Sequence, residues 1–386
     1  MKKFFVTLLL FCILFCFPHF AAYADDGNRL SIISANVSGL PASLSKYDRD
    51  VPAAQKTLGE MLNDSGYDII CVQEDFGYHS VFATEMTNYP YQTYTTGAAP
   101  MGDGLNIFSV YPIYNVERVT WNNFHGVFTD GSDALCLKGF IRCTVDVNGI
   151  LIDLYNVHMD SYRTEGDQKA KKAQLEQLMA YIDEKSEGMP VLIVGDTNLT
   201  FHTDPLVEMH RILIEEGGFA DCWIEVKNNG NYMQGSDGAQ LIERWYARFG
   251  GHDWGRWDSV ERVLYRGGAG LKFEPVRFEY EIYTDDPSQI KALTDHRMME
   301  CVLKLDTDEY ERPNDAELLV PKDSSAVKKA IRAVNAVIRM ACLIISSGIA
   351  YLAENYPIAF ASAVAVIFAL VAFGVIRRRR KCHRGH

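Results

Sequence analysis

The chain has 386 residues, of which 48% are hydrophobic and 12% aromatic. This composition excludes an intrinsically disordered protein and is sufficient for one large hydrophobic core or two smaller ones. The formal net charge of −12 argues against a high-affinity binder of duplex DNA, because such binders depend on basic groups that meet phosphates.

Residues 1–24 have the pattern of a secretory signal peptide. Lys2 and Lys3 precede an apolar stretch over residues 4–17, and the tripeptide AYA at 22–24 supplies small residues for cleavage. The mature chain is therefore predicted to begin at residue 25, outside the cytoplasm.

The C-terminal region has the pattern of a single membrane anchor. Residues 357–376 carry no charge over a length that can cross a bilayer, and a basic tail follows over residues 377–386. Because basic residues favour the cytoplasmic side, the tail is predicted to be cytoplasmic and the rest of the mature chain extracytoplasmic, at the cell membrane. The alternative is a buried core helix, which the basic cluster disfavours.

Two further segments are predicted before this anchor. Residues 307–327 form a polar tether. Over residues 328–353, Lys328, Arg332 and Arg339 recur at helical spacing, with apolar residues between them, which is typical of an amphipathic juxtamembrane helix. This helix could lie on the membrane, span it or pack against the globular domain, and the sequence leaves these alternatives open.

The cysteines do not form a fully paired disulfide framework. The domain holds an odd number of them, and no spacing resembles a zinc site. Cys136 and Cys143 lie across a possible hairpin and could form one disulfide. Cys71 lies in the apolar run DIICV and is predicted to be a core residue.

The domain over residues 25–306 repeats one local design, in which an apolar strand ends in polar residues. In the segment VLIVGDTNLT (191–200), a short aliphatic strand is followed by Asp196 and Asn198. Helical stretches such as residues 167–185 separate the strands, which predicts a mixed α/β domain whose sheets are covered by helices. The other polar residues at predicted strand ends are Asn36, Glu74, Asn156, His158, Asp258, Glu261, Asp295 and His296.

The residue types at these strand ends suit metal-assisted hydrolysis of a phosphodiester. Taken singly, each is explained equally well as a turn or surface residue, but strand ends on one rim of a sheet can converge on one cleft. Carboxylate oxygens suit a hard cation such as Mg²⁺, and Glu74 and Asp295 could hold it. A histidine beside a carboxylate can transfer protons near neutral pH.

The order of these motifs resembles that of the endonuclease/exonuclease/phosphatase superfamily, which has the fold of deoxyribonuclease I. The resemblance implies a four-layered α/β sandwich, in which two packed mixed β-sheets are flanked by helices, and a divalent-metal-dependent phosphoesterase. The matching motifs are Asn36, Gln73-Glu74, Asn156-x-His158, Gly195-Asp196-x-Asn198 and Asp295-His296.

The resemblance assigns the metal to one set of residues. It implies that Glu74 binds Mg²⁺, with Mn²⁺ or Ca²⁺ as alternative ions, and that Asn36 and Asp295 assist.

The resemblance assigns the phosphate and the protons to a second set. It implies that His158, Asn198 and Asn156 contact the scissile phosphate. Asp196 would orient or activate the attacking water, and His296 would act as general acid/base.

The carboxylate partner of His296 departs from the family pattern. Family members usually have an aspartate that opens a strand, whereas here Glu261 is in that register and Asp258 lies three residues earlier. The sequence slightly favours Glu261 because it directly precedes the strand, and leaves Asp258 as the alternative.

Two further segments resemble the neutral sphingomyelinase branch of the family. They are GDGLNIFSVYPI (102–113) and LKGF (137–140), and a lysine-glycine pair lies near the active site in that branch. The resemblance implies that Lys138 contacts the substrate phosphate, and a surface lysine is the alternative.

Together these observations predict a membrane-anchored extracytoplasmic phosphodiesterase that uses Mg²⁺ and acts on a sphingomyelin-type phospholipid at a membrane surface. A surface nuclease acting on DNA or RNA, an inositol-phosphate phosphatase and a catalytically inactive phosphate-binding module are the alternatives. No obligate protein partner is inferred.

Overall fold

The computed structural model describes residues 28–40, 49–93, 102–126, 136–199, 208–230, 232, 260–281, 293–313, 318–319 and 356. The predicted signal peptide, juxtamembrane helix, transmembrane helix and basic tail lie outside these ranges. Within the described ranges, none of the helices combines the length and apolar character that crossing a membrane requires.

The strands in the described part of the chain form two six-stranded mixed sheets. The first sheet has the order β11-β12-β1-β2-β4-β3, and the second has the order β5-β6-β7-β8-β10-β9. The first sheet contains β1 (Arg29–Asn36), β2 (Ile69–Gln73), β3 (Tyr91–Gln92), β4 (Asn106–Ser109), β11 (Lys272–Glu281) and β12 (Met298–Asp306). The second contains β5 (Ile113–Thr120), β6 (Gly139–Val147), β7 (Ile150–His158), β8 (Val191–Asp196), β9 (Ala220–Asp221) and β10 (Glu261–Arg266).

Helices cover the outer faces of both sheets, so the domain is an α/β sandwich, as predicted. The described helices are α1 (Val51–Asn63), α2 (His79–Glu85), α3 (Glu165–Lys185) and α4 (Cys222–Asn228), with a π-helical segment over His210–Glu216. Apolar residues of α1 and α2 pack on the first sheet in one buried cluster, and those of α3 and the π-helical segment pack on the second sheet in another.

The main core lies between the two sheets, and strand alternation decides which residues enter it. In β7, Ile152 and Leu154 belong to this core, and in β8, Leu192 and Val194 do. Because successive side chains point to opposite faces of a strand, the residues two positions further along point into the same space between the sheets. The polar residues that end these strands therefore cap one end of the main core.

The helix predicted over residues 167–185 is α3, and its first turn explains why it begins where it does. Thr164 is the N-cap, and its side chain accepts a hydrogen bond from the Asp167 backbone N–H while the Asp167 carboxylate accepts one from the Thr164 backbone. This reciprocal capping satisfies two backbone donors that a helix start leaves unpaired.

The cysteine predictions have different outcomes. Cys71 is fully buried in the main core, as predicted. The sequence left open a disulfide between Cys136 and Cys143, and in the structure no disulfide joins them. Cys143 points into the main core from β6, whereas Cys136 lies before that strand begins, outside the core cluster.

The start of the predicted polar tether packs on the second sheet. The Tyr310 hydroxyl accepts a hydrogen bond from the Leu151 backbone N–H at 2.9 Å. Leu319 and Asn115 of β5 exchange two hydrogen bonds, each 2.9 Å long. The chain after β12 is therefore fastened to the domain through Leu319, and the remainder of the predicted tether lies outside the described residues.

Candidate functional site

Strand register places three polar residues in one row across the second sheet. His158 at the end of β7 pairs with Asp196 at the end of β8, and Asp196 pairs on its other side with Glu261 at the start of β10. Directly paired residues of neighbouring strands point to the same face of a sheet. All three side chains therefore face the space between the sheets, at the same end of the core.

Asp196 is the central carboxylate of the row and is fully buried. Its Oδ1 accepts a hydrogen bond from the Asn198 backbone N–H at 2.9 Å, and its Oδ2 accepts one from Asn36 Nδ2 at 3.1 Å. The same Oδ2 lies 3.6 Å from His158 Nε2 and 3.8 Å from His296 Nδ1. Burial raises the pKa of Asp196, although the neighbouring His296 opposes that shift.

His296 is paired with Glu261, at a distance of 2.7 Å between Nδ1 and Oε1. Burial alone would lower the pKa of His296, but the hydrogen bond to Glu261 and the charge of Asp196 hold it well above its usual range. The ring is therefore an imidazolium at neutral pH. With Nδ1 donating to Glu261, the second ring nitrogen remains available to a substrate.

Asp258, the alternative partner of His296, lies outside the described residues. The pair with Glu261 is nevertheless formed with good geometry, so the longer side chain of glutamate fits this position. The turn that carries His296 is fixed by Thr294, whose hydroxyl donates to the Asn36 carbonyl at 2.7 Å and accepts the His296 backbone N–H.

His158 has the opposite electrostatic character. Burial lowers the pKa of His158 well below its usual value, and the positive charges of Lys138 and His296 lower it further. Both ring nitrogens are buried and lack a hydrogen-bond partner within the structure described. Buried polar atoms are rarely left unpaired in proteins, so these nitrogens indicate a position that a ligand or water fills. The neutral ring can accept or donate one hydrogen bond there.

Asn36 joins the two sheets at this site. Its side-chain Nδ2 donates to Glu74 Oε1 and to Asp196 Oδ2, each at 3.1 Å. Its Oδ1 accepts the Ser38 backbone N–H at 3.0 Å, which fixes the orientation of the amide. Asn36 was predicted to assist the metal as a ligand, but in this orientation its amino group, not its carbonyl oxygen, faces the two carboxylates. It therefore positions them.

Glu74 and Asp295 provide oxygens that fit a hard divalent cation. Glu74 follows β2 with a left-handed backbone (φ 56°), which turns it out of the strand, and burial raises its pKa. The Asp295 carboxylate acts electrostatically on Glu74, and its Oδ1 is buried without a hydrogen-bond partner in the described structure. Carboxylate oxygens are the ligands that Mg²⁺ prefers, so these two residues suit such an ion.

A second possible metal site has a compact geometry. Asp196, Glu261 and His296 offer three ligand atoms that all lie within 4.8 Å of one another, and in the described ranges no other group of three acidic, histidine or cysteine residues does so. However, this trio includes a nitrogen that is hydrogen-bonded to Glu261. An all-oxygen environment suits Mg²⁺ better, and the trio is suited to proton transfer.

Asn198 and Lys138 lie beside the row and donate to the same carbonyl. Asn198 Nδ2 donates to the Met159 carbonyl at 3.1 Å, and Lys138 Nζ donates to the same oxygen at 3.2 Å. Lys138 Nζ also donates to Ser161 Oγ at 2.8 Å. Lys138 is buried and lowers the pKa of His158, so it is an element of the site's electrostatics rather than a surface lysine.

Asn156 was predicted to contact the substrate phosphate, and its contacts do not support that role. Its Nδ2 donates to the Val72 and Asn106 carbonyls at 3.0 and 2.9 Å, and its Oδ1 accepts Gln73 Nε2 at 2.7 Å. The side chain is fully buried. Because both amide hydrogens are already donated across the two sheets, Asn156 joins the sheets and has no donor left for a phosphate.

Two residues that shape the site were not predicted to belong to it. Ser38 fixes the amide of Asn36, and Thr294 fixes the turn that carries His296. Gln73, which the motif Gln73-Glu74 includes without a predicted role, contacts Asn156. A weak signal was available for Thr294, because it directly precedes the motif Asp295-His296. The contacts of Thr294 and Gln73 connect positions distant in the chain, which sequence spacing does not reveal.

The chain is similar to known proteins of one family. The model of the Endonuclease/Exonuclease/phosphatase family matches residues 33–296. A sphingomyelinase of Mycobacterium bovis is 26% identical over 275 residues, which cover 69% of this chain and 51% of the relative. The chain thus spans about half the length of the curated relatives that it matches.

One solved structure shares the fold, and a second is similar to the chain. The endonuclease/exonuclease/phosphatase of Beutenbergia cavernae has a TM-score of 0.50 at 15% identity, with 72% of each chain covered. Sphingomyelinase C of Streptomyces griseocarneus has a TM-score of 0.49 at 19% identity, with 71% of this chain and 99% of that one covered.

Proposed function

Because the chain belongs to the endonuclease/exonuclease/phosphatase family, as its motifs predicted, we propose that it is a divalent-metal-dependent phosphodiesterase acting on a sphingomyelin-type phospholipid. The observation that carries this proposal is the pair of histidines on either side of Asp196. One is held neutral and has two unpaired buried nitrogens, and the other is held as an imidazolium. Environments that shift the pKa values of two titratable groups in opposite directions are typical of acid–base catalysis.

In the proposed reaction, His296 holds the proton that the leaving oxygen requires. Its Nδ1 is fixed by Glu261, so Nε2 donates the proton as the bond to phosphorus breaks. Asp196 orients the attacking water through Oδ2, which lies between the two rings. Because burial raises the pKa of Asp196, its carboxylate is also a stronger base towards that water than an exposed aspartate.

The phosphate is proposed to lie beside His158. The single N–H of that neutral ring, the amide of Asn198 and the ammonium of Lys138 provide hydrogen-bond donors and a positive charge beside Asp196. Donors fixed in advance around developing negative charge are an effective way to stabilise a transition state.

Glu74 and Asp295 would hold the divalent cation, for which we propose Mg²⁺. When bound, such an ion neutralises phosphate charge and polarises the phosphorus–oxygen bond. Asn36 keeps Glu74 in place through its 3.1 Å hydrogen bond, and that same amide contacts Asp196, so the metal ligand and the water-orienting carboxylate share one support.

The substrate class rests on the named relatives and on the sequence of the chain ends. The curated relatives from two mycobacterial species carry the name sphingomyelinase. The predicted signal peptide and the predicted anchor at residues 357–376 would hold the domain outside the cytoplasm at a membrane surface, where a lipid headgroup is locally concentrated. We propose this location, and it is tested by fractionating cells that express the full chain and a version ending at residue 327.

The proposal is tested by assaying the purified full chain in mixed micelles with Mg²⁺. The substrates are sphingomyelin, DNA, RNA and an artificial diaryl phosphodiester, each with and without a chelator. We expect turnover of sphingomyelin and of the artificial diester, and loss of both on chelation. Cleavage of DNA or RNA with the lipid untouched would identify a nuclease instead, and failure to turn over any diester would favour a phosphate-binding module.

A further inference from the structure

Two loops follow the neighbouring strands β7 and β8, and each contains a residue with a left-handed backbone. Tyr162, in the loop after β7, has a φ of 58°, and Asn198, in the loop after β8, has a φ of 51°. Residues other than glycine rarely adopt this conformation, and asparagine tolerates it better than tyrosine does. Such conformations persist where the surrounding structure holds them, and they cluster at functional sites. Both loops therefore require a support outside their own backbone.

One buried side chain supports both of these residues. Lys171 lies near the start of α3 and is fully buried. Its ammonium group donates to the backbone carbonyl of Tyr162 and, at 2.8 Å, to that of Asn198. Because the side chains of a helix point back towards its N-terminus, a lysine at this position can reach the loop that precedes the helix. The two left-handed residues thus share one cationic donor.

The two loops meet a second time at the side chain of Asn198. Its Nδ2 donates to the Met159 carbonyl in the loop after β7 at 3.1 Å. The backbone of the same residue is held on both sides, because its N–H donates to the Asp196 carboxylate at 2.9 Å and its carbonyl accepts from Lys171 at 2.8 Å. These contacts fix the backbone from which the Asn198 amide projects.

We propose that Lys171 is a positioning residue for phosphate binding, because its ammonium group holds the left-handed backbone of Asn198 and thereby orients the amide of that residue. This inference rests on the proposed function, which assigns a phosphate contact to Asn198, and it adds a residue of an outer helix that acts through another residue. A misplacement of about 1 Å near the reacting atoms can cost about a hundredfold in rate. A lysine buried behind the site can therefore control turnover without contacting the substrate.

A lysine that only stabilised the fold would behave differently from a positioning residue. Its removal would lower the melting temperature and would weaken all parts of the site alike. A positioning lysine acts through Asn198, so its effect on catalysis should disappear once the Asn198 amide has been removed. A double-mutant cycle separates these two roles.

The first measurement is this cycle, made on the full chain with kcat/KM for a soluble diester. Lys171→Met keeps the approximate length of the side chain and removes its donors, and we expect it to lower kcat/KM about tenfold or more. In the Asn198→Ala background the same change should cost less than about threefold. In the Glu74→Gln background, assayed at high Mg²⁺, it should keep its full effect, because Glu74 follows a strand of the other sheet.

Two further variants control for folding and for loss of a lysine. Lys169→Met removes an exposed lysine of the same helix, which forms a surface ion pair with Glu165, and should behave as wild type. Melting curves show whether Lys171→Met folds. If it does not, Lys171→Gln takes its place in the cycle, because that side chain is shorter but retains two N–H donors.

Phosphate binding provides a second readout that does not depend on turnover. Titration calorimetry with inorganic phosphate in the presence of Mg²⁺ should show weaker binding in Lys171→Met and in Asn198→Ala, and no further loss when the two changes are combined.

The outcomes separate this inference from the proposed function. Unchanged kcat/KM in Lys171→Met would overturn the inference while leaving the phosphodiesterase standing, and so would an effect that is equally large with and without the Asn198 amide. If wild type cleaves no diester, the proposed function fails and the phosphate cycle alone decides the inference. A wild type that binds no phosphate would overturn both.

Discussion

His296 donates a hydrogen bond of 2.7 Å to Glu261, a glutamate at the start of a strand where the family resemblance predicts an aspartate. The pair joins the turn before β12 in the first sheet to the first residue of β10 in the second sheet. The two sheets thus each supply one partner, and the packing of the sandwich sets the distance between them.

Replacing Glu261 by Gln should change the pH dependence of the reaction. The carboxylate raises the pKa of His296, so the imidazolium persists to higher pH than in an ordinary histidine. Removing the charge lowers that pKa, and the proton is then lost at lower pH. We expect the alkaline limb of the kcat/KM profile on a soluble diester to move to lower pH and activity at neutral pH to fall about tenfold or more.

The matched control for this prediction is Asp258→Asn. Because His296 is already paired with Glu261, this variant should leave the alkaline limb where it is in wild type. A shift in Asp258→Asn and none in Glu261→Gln would assign the partner to Asp258.

Replacing either histidine by Ala should cost about a hundredfold or more in kcat, the usual scale for a lost acid–base group. His158 makes no side-chain hydrogen bond in the described structure, so His158→Ala should keep a melting temperature close to that of wild type. His210→Ala, on the π-helical segment, serves as the control and should retain full activity. Near-normal kcat in His158→Ala or His296→Ala would contradict the proposed roles.

Replacing Glu74 by Gln should weaken metal binding without unfolding the protein. A ligand that binds only the folded state raises the melting temperature, so Mg²⁺ should stabilise the wild type. In Glu74→Gln the same Mg²⁺ concentration should raise the melting temperature less, and activity should recover only partly at high Mg²⁺. Glu60→Gln, an exposed glutamate of α1 that pairs with Lys56, should behave as wild type. Equal shifts in both variants would remove Glu74 from the metal site.

Replacing Lys138 by Ala should reduce turnover of lipid more than turnover of an artificial diester. Lys138 fixes Ser161 in the loop after β7, beside the proposed phosphate position, and the artificial diester has no headgroup to position. The measurement is the ratio of the two kcat/KM values in mixed micelles. An equal loss of kcat/KM on both substrates would mean that Lys138 acts on the phosphate alone.

Replacing Asn156 by Ala should destabilise the fold rather than abolish the chemistry. The change leaves the Val72 and Asn106 carbonyls without their donors between the sheets, and each unsatisfied buried group costs about 1–3 kcal/mol. Denaturant unfolding should therefore show a lower midpoint, while kcat of the folded protein stays within about threefold of wild type. A kcat loss comparable to that of His158→Ala, at unchanged stability, would restore Asn156 to the phosphate site.

The amino-acid sequence alone is enough to predict the sandwich fold and to propose which residues lie at the end of the core where the strands finish. Strand alternation makes this possible, since Leu192 and Val194 point into the core and Asp196 follows in the same direction. The order of the motifs that contain His158, Asp196 and His296 then relates the chain to one family. The local sequence pattern is sufficient for this, because the face to which a side chain points is set by its position in its own strand.

Only the tertiary structure shows which of these side chains are satisfied by neighbouring groups and which have polar atoms left for a ligand. Asn156 and His158 are two positions apart on the same face of β7. The amide of Asn156 donates hydrogen bonds to the opposite sheet, whereas the ring nitrogens of His158 are unpaired in the described structure. Whether a polar side chain at a strand end is satisfied depends on which atoms the other sheet brings opposite it. Which atoms face each other is set by the packing of one sheet on the other, and local spacing in the sequence does not encode that packing. The same packing brings Glu261 and His296 together.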